Sequence, residues 1–273
     1  MKIKTLNWDV CTEAVITSTQ ATNKMAIKRT DNNKILAVVG EKYHPVSNAK
    51  LHRFVNRLCE HEFSFEGYSV FKEGKVILAF LKNRRPGLHL NNFPMDEYLV
   101  IGNSHDGTKK FYIGTSSRLI RCMNQFTSTV KIFGKKHTAP LVLDEISVED
   151  MVSQYLESKT ELYDSFSGWD KIKVSDHVVE NLIRQVHLRI AVDSKLDHDL
   201  IGRSPSMHVL RNSIGKEMEA LGENAFGLFN GVTYYTTHEM RQGEENFGRI
   251  DNTADNINQL AYRFCLDLKL TQQ

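Results

Sequence analysis

Apolar positions recur with a period near two over most of the first half of the chain, and with a period near 3.6 over most of the second. Met25–Thr30 and Ile35–Val39 flank Asp31-Asn32-Asn33, residues that tolerate left-handed turn geometry, so a hairpin is predicted there. Ser47 then caps a helix on which Leu51, Phe54, Val55 and Leu58 share one face, while Lys50, Arg53, Asn56 and Arg57 share the other. Gly67–Lys72 and Lys75–Leu81 flank Glu73-Gly74, a second hairpin signal, closed by the basic loop Lys82-Asn83-Arg84-Arg85-Pro86-Gly87. Strand-like residues continue through Leu99–Ile101, a polar loop, and Phe111–Ile113 toward Asn124. Phe126–Phe133 adds a further run, closed by Gly134-Lys135-Lys136-His137. The first half therefore predicts a twisted, mostly antiparallel sheet with one helix packed on it.

The period changes near residue 145. Ser147-Val148-Glu149-Asp150 is a capping-box-like start, and Met151, Val152, Tyr155, Leu156, Leu162 and Tyr163 continue its stripe. Further helices are predicted after Ser175, after Ser204-Pro205-Ser206 with Gly222 as the stop, and over about Thr253 to Leu270. The fold class is α+β. Either residues 1–145 form a β-rich part and 146–273 a helical part, or the helices lie over one sheet in a single domain.

Composition sharpens this division. With 273 residues, 41% hydrophobic and 25% charged, the chain can bury a substantial core. No apolar run approaches a membrane span, and the first residues lack the apolar stretch of a signal peptide. Cys11, Cys59, Cys122 and Cys265 are far apart and form no C-x-x-C pair, which fits reduced thiols in a cytoplasm and a role as small buried hydrophobes. The formal net charge of +2 conceals a split. Met1–Leu143 carries 22 Lys+Arg against 11 Asp+Glu, and Asp144–Gln273 carries 13 against 22. Such asymmetry points to nucleic acid for the basic half, or to attraction between the halves.

The most informative stretch is Asn103-Ser104-His105-Asp106-Gly107-Thr108, six turn formers in a row between strands. With Arg118-x-x-Arg121-Cys122-x-Asn124, with Tyr43-His44-Pro45-Val46 before the first helix, and with the aromatic block Phe226–His238, it resembles a phage and plasmid family, domain of unknown function 932. The resemblance covers roughly residues 24–265 and implies a bacterial host cell. It implies no settled activity.

Two chemistries compete for these residues. His105-Asp106 and His238-Glu239, with Asp251 or Asp255, are of the types that hold a divalent metal for a nuclease or hydrolase. Adjacent strand residues point to opposite faces, however, and no H-E-x-x-H, P-loop, G-x-G-x-x-G or G-x-S-x-G is present. His105 and Asp106 are the catalytic candidates if there is an enzyme. The bland alternatives are a β-turn corner for Asp106-Gly107 and core packing for Phe229, Tyr234 and Tyr235.

The second chemistry is binding. Lys82, Arg84, Arg85, Lys109, Lys110, Arg118, Arg121, Lys131, Lys135 and Lys136 fall where strands end and loops begin, with Tyr68, Phe71, Phe80, Phe93, Phe111 and Tyr112 between them. The helix at 47–61 followed by strands and a basic hairpin also resembles the Rad-type single-strand annealing proteins over roughly residues 40–170. That resemblance implies a homo-oligomer that anneals single-stranded DNA in recombination or replication, without nucleotide hydrolysis. The leading expectation is such a DNA-binding protein, with no cofactor and no membrane partner. The alternatives are the metal-dependent enzyme and a non-enzymatic interaction protein that counters a host defence.

Overall fold

The structure is a computed structural model and describes residues 4–18, 20–85, 89–90, 93–119, 125–126, 131–138, 140–190, 204–240 and 255–271. Its strands are β1 (Val10–Ile16), β2 (Ala21–Arg29), β3 (Ile35–Gly40), β4 (Phe63–Phe71), β5 (Val76–Asn83), β6 (His89–Leu90), β7 (Phe93–Ser104), β8 (Phe111–Leu119), β9 (Gln125–Phe126) and β10 (Lys131–Lys135). Its α-helices are α1 (Asn48–Cys59), α2 (Val148–Phe166), α3 (Asp176–Ile190), α4 (Pro205–Leu221), α5 (Ala225–Tyr234) and α6 (Asp255–Thr271). The fold is α+β, as the two periodicities predict.

The chain forms two compact units. The first comprises Met1–Gly87, Glu97–Ser116 and Val130–Lys159, and the second Leu88–Asp96, Ser117–Thr129 and Thr160–Gln273. The change of period near residue 145 thus falls inside the first unit, which keeps the opening turns of α2.

The first unit holds two antiparallel sheets where one was expected. One is three-stranded, in the order β1-β2-β3, and the other runs β10-β8-β7-β5-β4. β1 is absent from the sequence reading because its residues are almost all exposed, leaving no apolar alternation to read. Asn33 turns the β2–β3 hairpin at φ 57°, as its residue type suggests. α1 lays Leu51, Phe54, Val55 and Leu58 into the core against Tyr68, Ile77, Leu81, Leu99 and Ile101, and each of the four helix residues is fully buried.

α2 closes the same core. Ser147 accepts from the Asp150 amide at 3.0 Å, as a capping residue should. About two and three turns past Ser147, Tyr155 and Lys159 reach the end of the sheet, where Asn83 and Glu97 adjoin the last paired residues, Lys82 and Tyr98. The Asn83 amide donates to the Tyr155 hydroxyl at 3.2 Å, and Lys159 pairs with Glu97. Glu97 is buried; its Oε2 also accepts from the Tyr155 hydroxyl at 3.4 Å, and its Oε1 has no partner. Removing one member of a buried pair strands the other. Glu97→Gln is expected to cost about 3–5 kcal/mol in denaturant unfolding, while Glu97→Met with Lys159→Met regains most of it.

The second unit is built around α5, whose residues Ala225–Thr233 are all buried. The aromatic block of the sequence is therefore helical. Tyr235–Glu239 continues it as a π-helical turn, so treating His238-Glu239 as strand neighbours was incorrect. α5 is buried on every side because other elements surround it, and neither period shows in such a segment. Phe229 packs with Phe166, Trp169 and Tyr262 in a ring cluster. Phe229 and Tyr235 are core residues, whereas Tyr234 is half-buried and accepts from Lys216 at 2.8 Å. Cys265 is buried here, but Cys11 in β1 is exposed and Cys59 half-buried, so a common role as buried hydrophobes fails. Cys122 lies outside the described residues.

Gly227 and Gly231 let α5 touch α4. A Cβ at Gly231 would lie 2.3 Å from the Ile214 Cα, and one at Gly227 would lie 2.3 Å from the Gly222 carbonyl oxygen. Both obstacles are backbone. Gly231→Ala is expected to lower stability by about 2–3 kcal/mol through forced separation of the helices. Gly215→Ala on α4, where the added carbon meets open space, should be neutral or stabilising by up to about 1 kcal/mol; thermal melts of both variants check this.

Candidate functional site

In the first unit, the motif loop of the sequence starts on a strand. Asn103 and Ser104 are the last residues of β7, and residues 105–110 form the connection to β8. Its polar side chains are turned to its own construction. The Asn103 amide donates to the Val46 carbonyl at 2.9 Å. Asp106 Oδ1 accepts from the Ser104 hydroxyl at 2.6 Å, the Thr108 hydroxyl at 2.6 Å and the Thr108 amide at 3.0 Å. Burial pushes the Asp106 carboxyl up, but these bonds and the nearby Lys72 outweigh it and hold the group below the usual range. Gly107 turns the corner at φ 74°, with Tyr43 and Val39 beside it.

His105 is fully buried. Its Nε2 lies 3.0 Å from Asn48 Oδ1, and the edge of its ring meets Trp8 at 5.9 Å. The Asn48 amide donates to the Trp8 carbonyl at 3.0 Å, which fixes its oxygen toward His105 and makes Nε2 the protonated nitrogen. Burial is the main cause that lowers the His105 pKa to about 4. Asp9 opposes the shift and His137 adds to it. His137 is also buried, stacks on Tyr43 at 4.9 Å and bonds the His44 carbonyl through Nδ1 at 3.2 Å. Burial lowers its pKa as well. The Tyr43 hydroxyl donates to the Ser104 carbonyl at 2.6 Å, and burial raises its pKa to about 12.

The loop and the Tyr43–Asn48 turn thus lock together, and His105 and Asp106 are used separately in doing so. Among the described residues no three His, Cys, Asp or Glu side chains gather as metal ligands. His238 and Glu239 are exposed in the second unit. Asp251 and the Asp255 side chain lie outside the described residues.

The basic candidates divide between two ends of the main sheet. Lys82 sits opposite Tyr98 at the far end of β5, followed by Arg84 and Arg85. There Arg84 donates to the Cys59 carbonyl at 2.7 Å and Arg85 pairs with Glu62. Lys109 and Lys110 lie at the other end, about 23 Å away along β5 at the usual strand rise. Lys135 pairs in register with Phe111, so Lys135 and the exposed Lys136 stand beside Lys110. Val76 pairs with Ser104, which brings the turn carrying Lys72 and Lys75 to the same end. The sequence reading missed Lys72 and Lys75. They flank a hairpin turn, and only strand pairing shows which other loops that turn adjoins. Arg118 lies on β8 and Lys131 on β10, with side chains outside the described residues; Arg121 lies outside them altogether.

The described structure is that of an α+β protein in which six lysines collect at one sheet end, beside an internally bonded loop whose first residue, His105, is buried. The chain belongs to the family described as a domain of unknown function, DUF932, whose model matches residues 35–261, from the start of β3 into α6. No curated protein and no solved structure matches it. No described helix is long and apolar enough to cross a membrane.

The two buried histidines make stability depend on pH. Each is held neutral in the native state, so below about pH 6.5 the unfolded chain binds more protons. Their contribution is complete above that value and is lost as the pH falls through the lowered native pKa of each. For His105 the difference is about 3 kcal/mol between neutral pH and pH 4. Urea midpoints should fall over that window in the wild type and fall less steeply in His105→Gln.

Proposed function

We propose that the protein binds single-stranded DNA at the lysine end of the first unit's sheet, and acts in strand binding or annealing without nucleotide hydrolysis. The observation that carries this is the gathering of Lys72, Lys75, Lys109, Lys110, Lys135 and Lys136 by strand register. Ammonium groups on flexible stems suit a phosphate backbone, which they position without reading sequence. They leave base edges free to pair, which annealing requires. A homo-oligomer, extending the basic surface along a strand, and a phage or plasmid setting in a bacterial cytoplasm complete the proposal.

The test is fluorescence anisotropy with labelled single- and double-stranded DNA at low and moderate salt, with and without magnesium, followed by a gel of the products. Single strands should bind preferentially, with affinity falling steeply as salt rises and the DNA left intact. Lys109→Glu with Lys110→Glu should weaken binding by roughly tenfold or more, because it removes two phosphate contacts and adds repulsion. Reversal at Arg84 and Arg85, which are tied to Cys59 and Glu62, should do less. Absence of salt-sensitive binding would overturn the proposal, and magnesium-dependent cleavage would replace it with hydrolysis.

A further inference from the structure

A hollow of about 530 Å³ in the first unit lies against Trp8, with Asn7, Thr30 and His52 around it and Asp9 and Asn48 in its wall. Its size is that of a small-ligand site. The Trp8 ring is held in place. The Arg29 guanidinium stacks on it at 4.1 Å from the centroid, and a Cβ at Gly74 would come within 2.6 Å of its far edge. Gly74 lies in the turn between Lys72 and Lys75, so Trp8 links one side of the hollow to that turn.

The wall decides what class of ligand fits. Asp9 Oδ1 accepts from the Asn48 amide at 2.7 Å and Asp9 Oδ2 from the Ala49 amide at 3.3 Å. Its carboxylate therefore occupies the α1 N-terminus, where an anion would otherwise bind, and it repels a phosphate. What remains is the indole, which Arg29 covers on one face only, the imidazole of His52, whose Nδ1 lies 2.8 Å from the Tyr68 hydroxyl and whose ring meets Phe65 edge to face, and the exposed amide of Asn7. Aromatic surface with a few hydrogen-bonding groups, and no Lys or Arg among the described residues that line it, suits a flat, neutral, polar-edged ring. We infer that this hollow receives a nucleobase of the bound strand, whose phosphates lie on the neighbouring lysines. The pocket rests on the strand binding proposed above and adds a base contact to it.

The chain carries two tryptophans, and Trp169 is fully buried in the second unit, so oligonucleotide quenching reports on Trp8. The experiment titrates the full chain with a short oligothymidylate, with an abasic oligonucleotide of equal length and charge, and with thymidine monophosphate. Expected are quenching by the oligothymidylate, weaker binding without quenching by the abasic strand, and little effect of the mononucleotide. Loss of one stacked base should cost roughly tenfold in affinity. Asn7→Ala, at an exposed position that leaves folding intact, should weaken oligothymidylate binding several-fold and leave abasic binding unchanged. His52→Ala should do the same more strongly.

Equal affinity and equal quenching for base-bearing and abasic strands would overturn the pocket while leaving the lysine end standing. So would an unchanged affinity in both variants. Saturation by the mononucleotide as tight as by the strand would overturn the strand-bound base. If no oligonucleotide binds, pocket and proposed function fall together.

Discussion

The first amide hydrogens of a helix have no partner within it, and α1 starts partly inside the first unit. Ser47 satisfies one of them, accepting from Lys50, and the Asp9 carboxylate satisfies those of Asn48 and Ala49. The consequences spread from there. Asp9 is held where the chain enters β1, its own amide bonded to Thr30 at the end of β2. Asn48 uses its side chain to join the Trp8 carbonyl to His105, so the same few residues anchor the N-terminal segment, the first helix and the β7–β8 loop. Removing Asn48 or His105 leaves a buried polar group without a partner, which costs more than the bond itself contributes. That is the physical reason the polar residues Asn103, Ser104 and His105 can be buried, while Gly107 and Thr108 stay exposed.

The second unit solves a different problem. Its central helix is buried on all sides and depends mainly on contact, with Asn230 and Thr233 bonding back to the helix's own carbonyls. Two glycines one turn apart remove the side chains that would hold α4 away, and the Asn224 side chain caps the helix by accepting from the Gly227 amide at 2.9 Å. Close backbone approach converts the missing side chains into dispersion contacts along the crossing.

For function, placement matters more than count. The basic excess of the first half is real, but its guanidinium groups at Arg84 and Arg85 are tied to Cys59 and Glu62. Lysines instead collect at the opposite sheet end, next to a loop whose carboxylate is turned to its own hydroxyls and amide. Charge that is spread along the sequence becomes a local field only where strand register brings it together.

Much of the fold was legible in the residues themselves. Leu51, Phe54, Val55 and Leu58 wrote α1 by their spacing, Ser47 marked its start, Asp31-Asn32-Asn33 and Glu73-Gly74 marked hairpins, and Gly222 marked the end of α4, where it adopts φ 104°. These are local properties, decided by dihedral preference and by the side of an element that must leave water. Three things were not legible. β1 has no buried face and α5 has no exposed one, so neither carries a period. The candidate site depends on partners far apart in the chain: His105 on Asn48 and Trp8, Asp9 on α1, and Lys72 and Lys75 on the strand that ends at Ser104. The sequence by itself determined the helices and strands that bury one face and expose the other, and how much charge the first half carries. Only the tertiary structure decided which charges stand together and which polar groups are consumed, because strand register and burial are properties of pairs of segments that no single segment contains.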